Sequence, residues 1–457
     1  MPKGPRKFHF SFEKTGLTRF GGLTLLQSFC KSLGLRRFLQ LYVRWPDYHY
    51  RDYHPVDLFL AHLFAIVAGT GRIESTQCLI HNGLIPPILG LTDFPHRDTL
   101  RTFLWRFSPK QLQSLQLAHD RLRHELFQRL GLLYSAIVDA DTTTLITYGS
   151  QEGTALGYIP KRRHGQPSYA PILSSEGRSG LSLGMELRAG NMHASSGAWD
   201  FLEQILEKLP SSIASTRTRV RLDGAFYDKK IVESLDPRHR GYAIVARMSR
   251  PLRNKMVQAR YHRFARGWEA AEFTYTPFHW KAEHRYVAVR RPVVLEPEEI
   301  QKRLFTFRDY TYHRALVTNL ELTPEAVWRF YCDRAFQELL LREFKGSYAM
   351  AEIPTRSFRA NATYMEMLLW AYDLVLAFQF SLPAKDSSTL EHIHSAPRAL
   401  VAACRMGQTG QSQPLDAPGE VSSSGTVPQN SAGRLESQTA DLNRFATLLT
   451  ARPLVGD

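Results

Sequence analysis

Short β-branched runs alternate with helical patterns between residues 133 and 246, and this alternation constrains the fold most strongly. The strand-like runs lie at 133–138, 181–187, 217–222 and 242–246, and the helical patterns at 198–209 and 227–235. Strands that alternate with helices are typical of an α/β domain. The sequence therefore predicts an α/β core over residues 131–246, in which Ser195 or Ser196 caps the first helix.

The segment before this core is predicted to be a helical domain, residues 1–130. Its apolar residues recur at spacings of three and four in the stretches 17–43, 55–68 and 110–130. Asp98 can cap a further short helix that exposes Arg101 near its start. Such a helix can enter the major groove of DNA, although an ordinary surface helix carries the same pattern.

The segments after the core change character twice. Residues 247–320 contain the strand-like runs 273–276, 286–289 and 315–318, which predict a β-rich insertion. Thr323 and Pro324 predict the start of a helix that runs to about Lys345, and the apolar stretch 362–379 predicts a buried helix. Residues 321–382 are thus interpreted as the end of the core with C-terminal helices. The Ser-, Gly-, Gln- and Pro-rich residues 383–457 predict a disordered tail.

The charge of the chain indicates a polyanionic partner. The 457 residues include 58 Lys and Arg against 43 Asp and Glu, a formal net charge of +15. Nucleic acid is the first candidate and an acidic membrane surface the second. The densest basic stretches are 161–164, which contains Arg162 and Arg163, and 247–266. We expect Arg162 and Arg163 to contact DNA phosphates.

The cysteines and the hydropathy exclude several classes of protein. The four cysteines are isolated and form no CxxC pair, which argues against a disulfide framework and a structural zinc site. The most apolar stretch, residues 56–68, is too short to cross a bilayer as a helix. We therefore expect a cytoplasmic protein that has no membrane segment.

Four residues near position 338 share one face of the predicted helix. At about 100° per residue, Tyr331, Arg334, Glu338 and Lys345 fall within an arc of roughly 60°. An exposed helix with an ordinary Arg334–Glu338 ion pair would also explain this pattern.

Two aspartates upstream, Asp141 and Asp223, bear on the chemistry of that helix face. Asp141 follows an apolar run and precedes two threonines, and Asp223 ends a strand before Gly224. Isolated aspartates at strand ends are usually turn formers. Together with Glu338, however, they supply the oxygen ligands that hard cations need, and two such cations can catalyse phosphoryl transfer. Asp139 competes with Asp141, because residues two apart on a strand face the same side.

The ensemble resembles the DDE transposases of bacterial insertion sequences. Within them it is similar to the group marked by Tyr, two residues, Arg, three residues, Glu, six residues and Lys, which this chain matches at Tyr331, Arg334, Glu338 and Lys345. The stretches 141–143 and 223–226 look like the group's first and second acid motifs. The resemblance covers about residues 10–382. It favours Asp141 over Asp139, because the family's first acid directly precedes the threonine pair.

The resemblance implies a ribonuclease-H-like catalytic core with the β-rich insertion between the second and third acids, after a helical N-terminal DNA-binding domain. It implies that Asp141, Asp223 and Glu338 are the catalytic residues and the ligands of two Mg²⁺ or Mn²⁺ ions. Arg334 and Lys345 would hold DNA phosphates near the cleaved bond, and Tyr331 would contact the same strand end.

The partners implied are double-stranded DNA, both element ends and target, and a second copy of the chain in a homodimer. The resemblance also implies action in the bacterial cytoplasm, at the nucleoid. Two alternatives stay open at this point. One is a metal-dependent nuclease of ribonuclease-H type that only hydrolyses, and the other is an inactive DNA-binding protein derived from a transposase.

Overall fold

The computed structural model describes residues 20–46, 53–82, 85–157, 165–265, 267–292 and 310–381. The chain divides into two units. Among the described residues, the first unit comprises 20–38, 53–82, 85–100 and 374–381, and the second comprises 39–46, 101–157, 165–265, 267–292 and 310–373. The described residues among the predicted site residues all belong to the second unit. Arg162, Arg163 and the predicted tail, 383–457, lie outside the described residues.

Several helices begin at a residue whose side chain caps the first turn. Ser108 and Gln111 form a reciprocal capping box, and His54 accepts a hydrogen bond from the first turn of the helix that follows it. The helices are α1 (Leu23–Ser32), α2 (Leu35–Tyr42), α3 (Pro55–Val67), α4 (Gln77–Ile80), α5 (Ile85–Leu89), α6 (Arg97–Arg106), α7 (Pro109–Arg129), α8 (Ala198–Glu207), α9 (Lys229–Leu235), α10 (Arg250–Gln258), α11 (Pro324–Cys332), α12 (Ala335–Gly346) and α13 (Phe358–Phe380).

The strands of the second unit form a nine-stranded sheet in the order β6-β5-β1-β7-β8-β12-β11-β10-β9 and a small sheet in the order β2-β4-β3. Their bounds are β1 (Ala136–Thr142), β2 (Leu145–Ile146), β3 (Ala155–Leu156), β4 (Pro167–Tyr169), β5 (Ile172–Glu176), β6 (Ser182–Glu186), β7 (Thr218–Leu222), β8 (Gly241–Val245), β9 (His262–Ala265), β10 (Trp268–Tyr275), β11 (His284–Pro292) and β12 (Tyr310–Thr318). The predicted α/β alternation is confirmed.

The large sheet is mixed. Strand β1 pairs in parallel with β7, and β7 pairs in parallel with β8. The remaining neighbours, including β1 with β5 and β8 with β12, are antiparallel. The strand-like runs predicted within residues 247–320 fall in β10, β11 and β12, and these strands extend the core sheet beyond β8. The predicted domain boundaries stay predictions.

The predicted helix from Thr323 to about Lys345 is wrong, because the chain forms two helices, α11 and α12, there. The N–H of Arg334 bonds to Tyr331 O at 3.0 Å, and the N–H of Gln337 bonds to Arg334 O at 2.9 Å. These hydrogen bonds span three residues instead of four, so they tighten the backbone and interrupt the α-helical ladder.

Three smaller predictions also need correction or refinement. Helix α6 already begins at Arg97, so Asp98 lies in its first turn and is not the cap. The N-terminal cap of α8 is Gly197 at φ +68°, not Ser195 or Ser196. The helical stretch 17–43 is interrupted at Gly34, whose φ of +68° suits a residue without a Cβ.

A buried polar network joins α7 to α13 within the second unit. His119 contacts Glu366 through Nδ1 at 2.7 Å and Asp373 through Nε2 at 3.1 Å. Its ring stacks on Trp370, with the centroids 4.4 Å apart. Arg123 donates from Nε to Asp373 at 3.2 Å. The Asp373 carboxylate therefore contacts both the His119 imidazole and the Arg123 guanidinium.

Candidate active site

Asp141 and Asp223 lie at corresponding positions at the ends of two neighbouring parallel strands, just past their last paired residues. Each residue of β1 faces the residue 82 positions later in β7, up to Ala140 opposite Leu222. The same offset carries Asp141 to Asp223, directly after the end of β7. Asp223 then caps a short 3-10 turn by accepting a hydrogen bond from the Ala225 N–H at 2.9 Å. Both acids therefore stand at the carboxyl ends of parallel strands, where open α/β sheets place their ligands.

Asp139 takes a different role from Asp141. Its side chain is fully buried and accepts two hydrogen bonds from Arg221, at 2.7 and 2.6 Å. Arg221 also donates to the carbonyl oxygen of Phe330 at 2.9 Å, which ties the sheet to the end of α11. The carboxylate of Asp139 is thus neutralised inside the fold, whereas Asp141 contacts Arg334, which lines the cavity described below.

Arg334 connects two of the three predicted catalytic acids. Its Nη2 lies 2.9 Å from Asp141 Oδ2 and 3.2 Å from the Ala140 carbonyl oxygen, and its Nη1 lies 3.8 Å from Glu338 Oε1. The side chain is only 3% exposed. The alternative of an ordinary exposed helix with an Arg334–Glu338 ion pair does not fit Arg334 and Tyr331, because both are buried.

Gln337 fixes the start of α12 on the sheet. Its Nε2 donates to the Leu173 carbonyl oxygen at 3.1 Å, and its Oε1 accepts from the Ser175 hydroxyl. Glu338, the next residue, remains 61% exposed at its side chain. A buried amide therefore anchors the helix while the adjacent carboxylate stays accessible.

A cavity of about 390 Å³ lies next to Asp223, Arg334 and Glu338. It brings together two of the predicted acids, an arginine from the signature and an arginine that the sequence did not single out. The lining residues are Asp223, Gly224, Ala225, Val245, Ala246, Met248, Arg314, Arg334 and Glu338. Arg314 and Met248 were missed, because only the order of β8 and β12 in the sheet brings them to this cavity.

Charge and burial shift the pKa values at the site. Burial raises the pKa of Asp141, the Arg334 guanidinium opposes this, and the nearby charge of Asp223 adds to it. Burial lowers the pKa of the Lys345 ammonium, and Asp141 acts in the opposite direction. The charges of Asp223 and Lys345 therefore both act on Asp141, and the family resemblance predicts both residues at this site.

The donor chemistry suits a hard divalent cation, because carboxylate oxygens are what such ions prefer. Asp141 and Asp223 repel one another, and a cation between them would relieve that repulsion. In the described part of the chain, no three His, Cys, Asp or Glu side chains are gathered closely enough to hold an ion. Arg334 instead contacts Asp141 and Glu338. The carboxylates suit a divalent ion in their chemistry, whereas in this structure Arg334 supplies the positive charge beside Asp141.

A family model described as "Transposase DDE domain group 1" matches residues 2–410 of the chain. The chain belongs to this family. It is thus a DDE transposase, an enzyme of DNA transposition, and its mixed sheet with many helices is consistent with a ribonuclease-H-like type of fold.

A comparison with solved structures finds similarity to one titled "Cryo-EM structure of piggyBac transposase synaptic complex with hairpin DNA (SNHP)". The two chains are 11% identical, the match covers 90% of this chain and 87% of the other, and the TM-score is 0.43. No curated protein matches the chain. Among the described helices, none combines the length and apolar character needed to traverse a bilayer.

Proposed function

We propose that this enzyme belongs to the transposase group with the Tyr331, Arg334, Glu338 and Lys345 signature, and that it cuts the ends of its own element and joins them to new DNA. The main support is the paired register of Asp141 and Asp223 at the carboxyl ends of β1 and β7. Glu338 lines the same cavity as Asp223, which brings the third acid to this end of the sheet.

Asp141, Asp223 and Glu338 would hold two Mg²⁺ or Mn²⁺ ions, which when bound supply activation of the attacking oxygen and stabilisation of the leaving oxygen. In the first step, a water oxygen bonds to phosphorus as the bond to the 3′ oxygen breaks, which leaves a 3′-hydroxyl and a 5′-phosphate. In the second step, that hydroxyl oxygen bonds to a target phosphorus and displaces the target's 3′ oxygen. One phosphodiester is exchanged for another, so no external energy source is needed.

Double-stranded DNA is the proposed substrate, and a homodimer on DNA is the proposed assembly, acting at the nucleoid in the bacterial cytoplasm. Lys345 and Arg334 would contact phosphates near the cut, Tyr331 would contact the same strand, and Arg162 and Arg163 would bind flanking phosphates. The net charge of +15 supports a polyanionic substrate.

The decisive experiment uses duplexes made from the DNA that flanks the gene, incubated with purified protein and Mg²⁺. Wild type should cut a strand at the element end, whereas Asp223→Asn and Glu338→Gln should not. Glu321→Gln, which alters an exposed glutamate outside the cavity, is the matched control and should cut like wild type. Equal cleavage by all four proteins would refute the assignment of the acids.

Two further measurements separate the alternatives. A pre-cut end with a free 3′-hydroxyl, supplied with target DNA, should yield joined product, and a nuclease that only hydrolyses would give none. Binding of the flanking duplex without cutting in any divalent metal would identify an inactive DNA-binding protein.

A further inference from the structure

Arg314 is a cationic side chain at the cavity that the signature does not include. It lies on β12, opposite Val289 of β11, and its side chain is exposed. It lines the cavity together with Asp223 and Glu338. Its guanidinium is therefore accessible from the same space that two of the proposed catalytic acids face.

The two arginines of this cavity differ in what already binds them. Arg334 is buried and its charge is taken up by Asp141, with Glu338 nearby. Arg314 forms no ion pair with any carboxylate of the described residues; its one hydrogen bond is to the Tyr331 hydroxyl, at 3.3 Å. A phenol does not neutralise a guanidinium. Arg314 therefore keeps both its charge and most of its five donors for a ligand.

Tyr331 also fixes where this guanidinium lies. The tyrosine is only 4% exposed and packs in a cluster with Val327, Leu316 and Ala243. Its ring stacks on Trp328 with a centroid distance of 6.2 Å. A donor held by a buried partner loses less conformational freedom when it binds a ligand, so the planar guanidinium of Arg314 is preorganised to bind an oxyanion.

We propose that Arg314 binds a non-bridging oxygen of a DNA phosphate within this cavity, next to the bond that is cut. The proposal rests on the function proposed above and adds a binding residue to it. Arginine forms short, charge-assisted and often bidentate hydrogen bonds with phosphate, which suits the exposed fork of Arg314. Arg334 already contacts Asp141 and Glu338, so Arg314 is the arginine of this cavity whose charge is available to a phosphate.

The first test measures binding of the flanking duplex by fluorescence anisotropy in EDTA, where metal-dependent cutting is blocked. Arg314→Ala should bind about tenfold or more weakly, because a charged hydrogen bond is lost. The slope of log affinity against log salt should fall by about one. Arg314→Lys should recover part of the affinity. Arg291→Ala removes an exposed arginine from the same sheet but outside the cavity, and it should bind more tightly than Arg314→Ala.

The second test neutralises the phosphate at the cut site as a methylphosphonate. Wild type should lose affinity for this duplex, and Arg314→Ala should lose less than wild type, because it has already lost one of the contacts to that phosphate. Equal losses in both proteins, or unchanged binding and salt slope in Arg314→Ala, would overturn the proposal. Absence of cutting by wild type with a clear Arg314 binding defect would instead refute the proposed function and leave the phosphate contact standing.

Discussion

Arg221 on β7 donates two hydrogen bonds, at 2.7 and 2.6 Å, to Asp139 on the neighbouring parallel strand β1. The pair lies two residues before Asp141 and Asp223 in the same register. Side chains two residues apart on a strand share a face, so this buried ion pair stabilises the strand ends that carry Asp141 and Asp223. It sets the register that the proposed chemistry needs.

Removal of one partner of this pair should be costly. Asp139→Ala leaves the buried Arg221 with only the exposed Asp333, 4.0 Å away, as a counter-charge, and we expect the free energy of unfolding to fall by about 3–5 kcal/mol. Urea denaturation followed by circular dichroism would measure the loss. Asp200→Ala breaks an exposed ion pair with Lys230 and should cost at most about 1 kcal/mol. Similar losses in the two variants would show that the buried ion pair contributes no more to stability than the exposed one.

Gly177 leaves the space that the ion pair occupies. A Cβ at this position would lie 2.7 Å from Asp139 Oδ2 and 2.9 Å from a methyl carbon of Ile137, and it would also clash with Arg221. We expect Gly177→Ala to destabilise the fold by about 1–3 kcal/mol through overpacking. At Gly346 a Cβ meets no atom within 4 Å, so Gly346→Ala is the matched control and should not lower the urea midpoint. An unchanged midpoint for Gly177→Ala would contradict the packing argument.

Arg334 should compete with divalent ions for the acids. Arg334→Ala removes the counter-charge of Asp141, so the metal-free variant should unfold at a lower temperature than wild type. Added Mg²⁺ or Mn²⁺ should then raise its unfolding temperature by more than it raises that of wild type, because bound ligand stabilises the folded state by mass action. Arg342→Ala alters an exposed arginine on the same helix and should respond like wild type. Identical metal-induced shifts in all three proteins would exclude this competition.

The buried Asp373 should make stability depend on acid pH. Burial by itself raises the pKa of Asp373, but hydrogen bonds and charges from His119, Arg123 and Ser182 bring it below its ordinary value. A carboxyl group with a lower pKa in the folded than in the unfolded state stabilises the fold above its unfolded pKa of about 4. That contribution is lost as the pH falls through the folded-state value.

Asp373→Asn tests this dependence when its free energy of unfolding is compared with that of wild type from neutral pH to pH 3 or so. The difference should be largest near neutral pH and should shrink once the pH drops below about 4. Asp93→Asn, at an exposed loop position, should track wild type throughout. A constant gap between wild type and Asp373→Asn across the whole range would be inconsistent with the lowered pKa.

The periodicity of the sequence predicted the α/β alternation, because strands and helices leave different hydrophobic spacings. It could not predict that β7 lies beside β1, since strand order is a tertiary property. Asp141 and Asp223 were therefore selected by motif, and their paired register became visible only in the folded sheet.

The environment of Arg334 escaped prediction for a different reason. The sequence predicted one continuous helix from Thr323, but hydrogen bonds that span three residues between 331 and 337 interrupt it near Arg334. Arg314 left no sequence signal, because it faces the cavity only after β12 has joined β8. The environments of Arg334 and Arg314 both depend on contacts between segments that are distant in the sequence.

The constant offset between β1 and β7 also bears on how such an enzyme can change over time. The connection between the two strands can lengthen, shorten or be exchanged without altering which residues lie side by side, provided that the backbone pairing is kept. A slip of one residue would put Leu222 beside Asp141 and turn the alternate side chains to the opposite face. Grafted or recombined chains should thus tolerate new crossover segments far better than a single inserted residue within either strand.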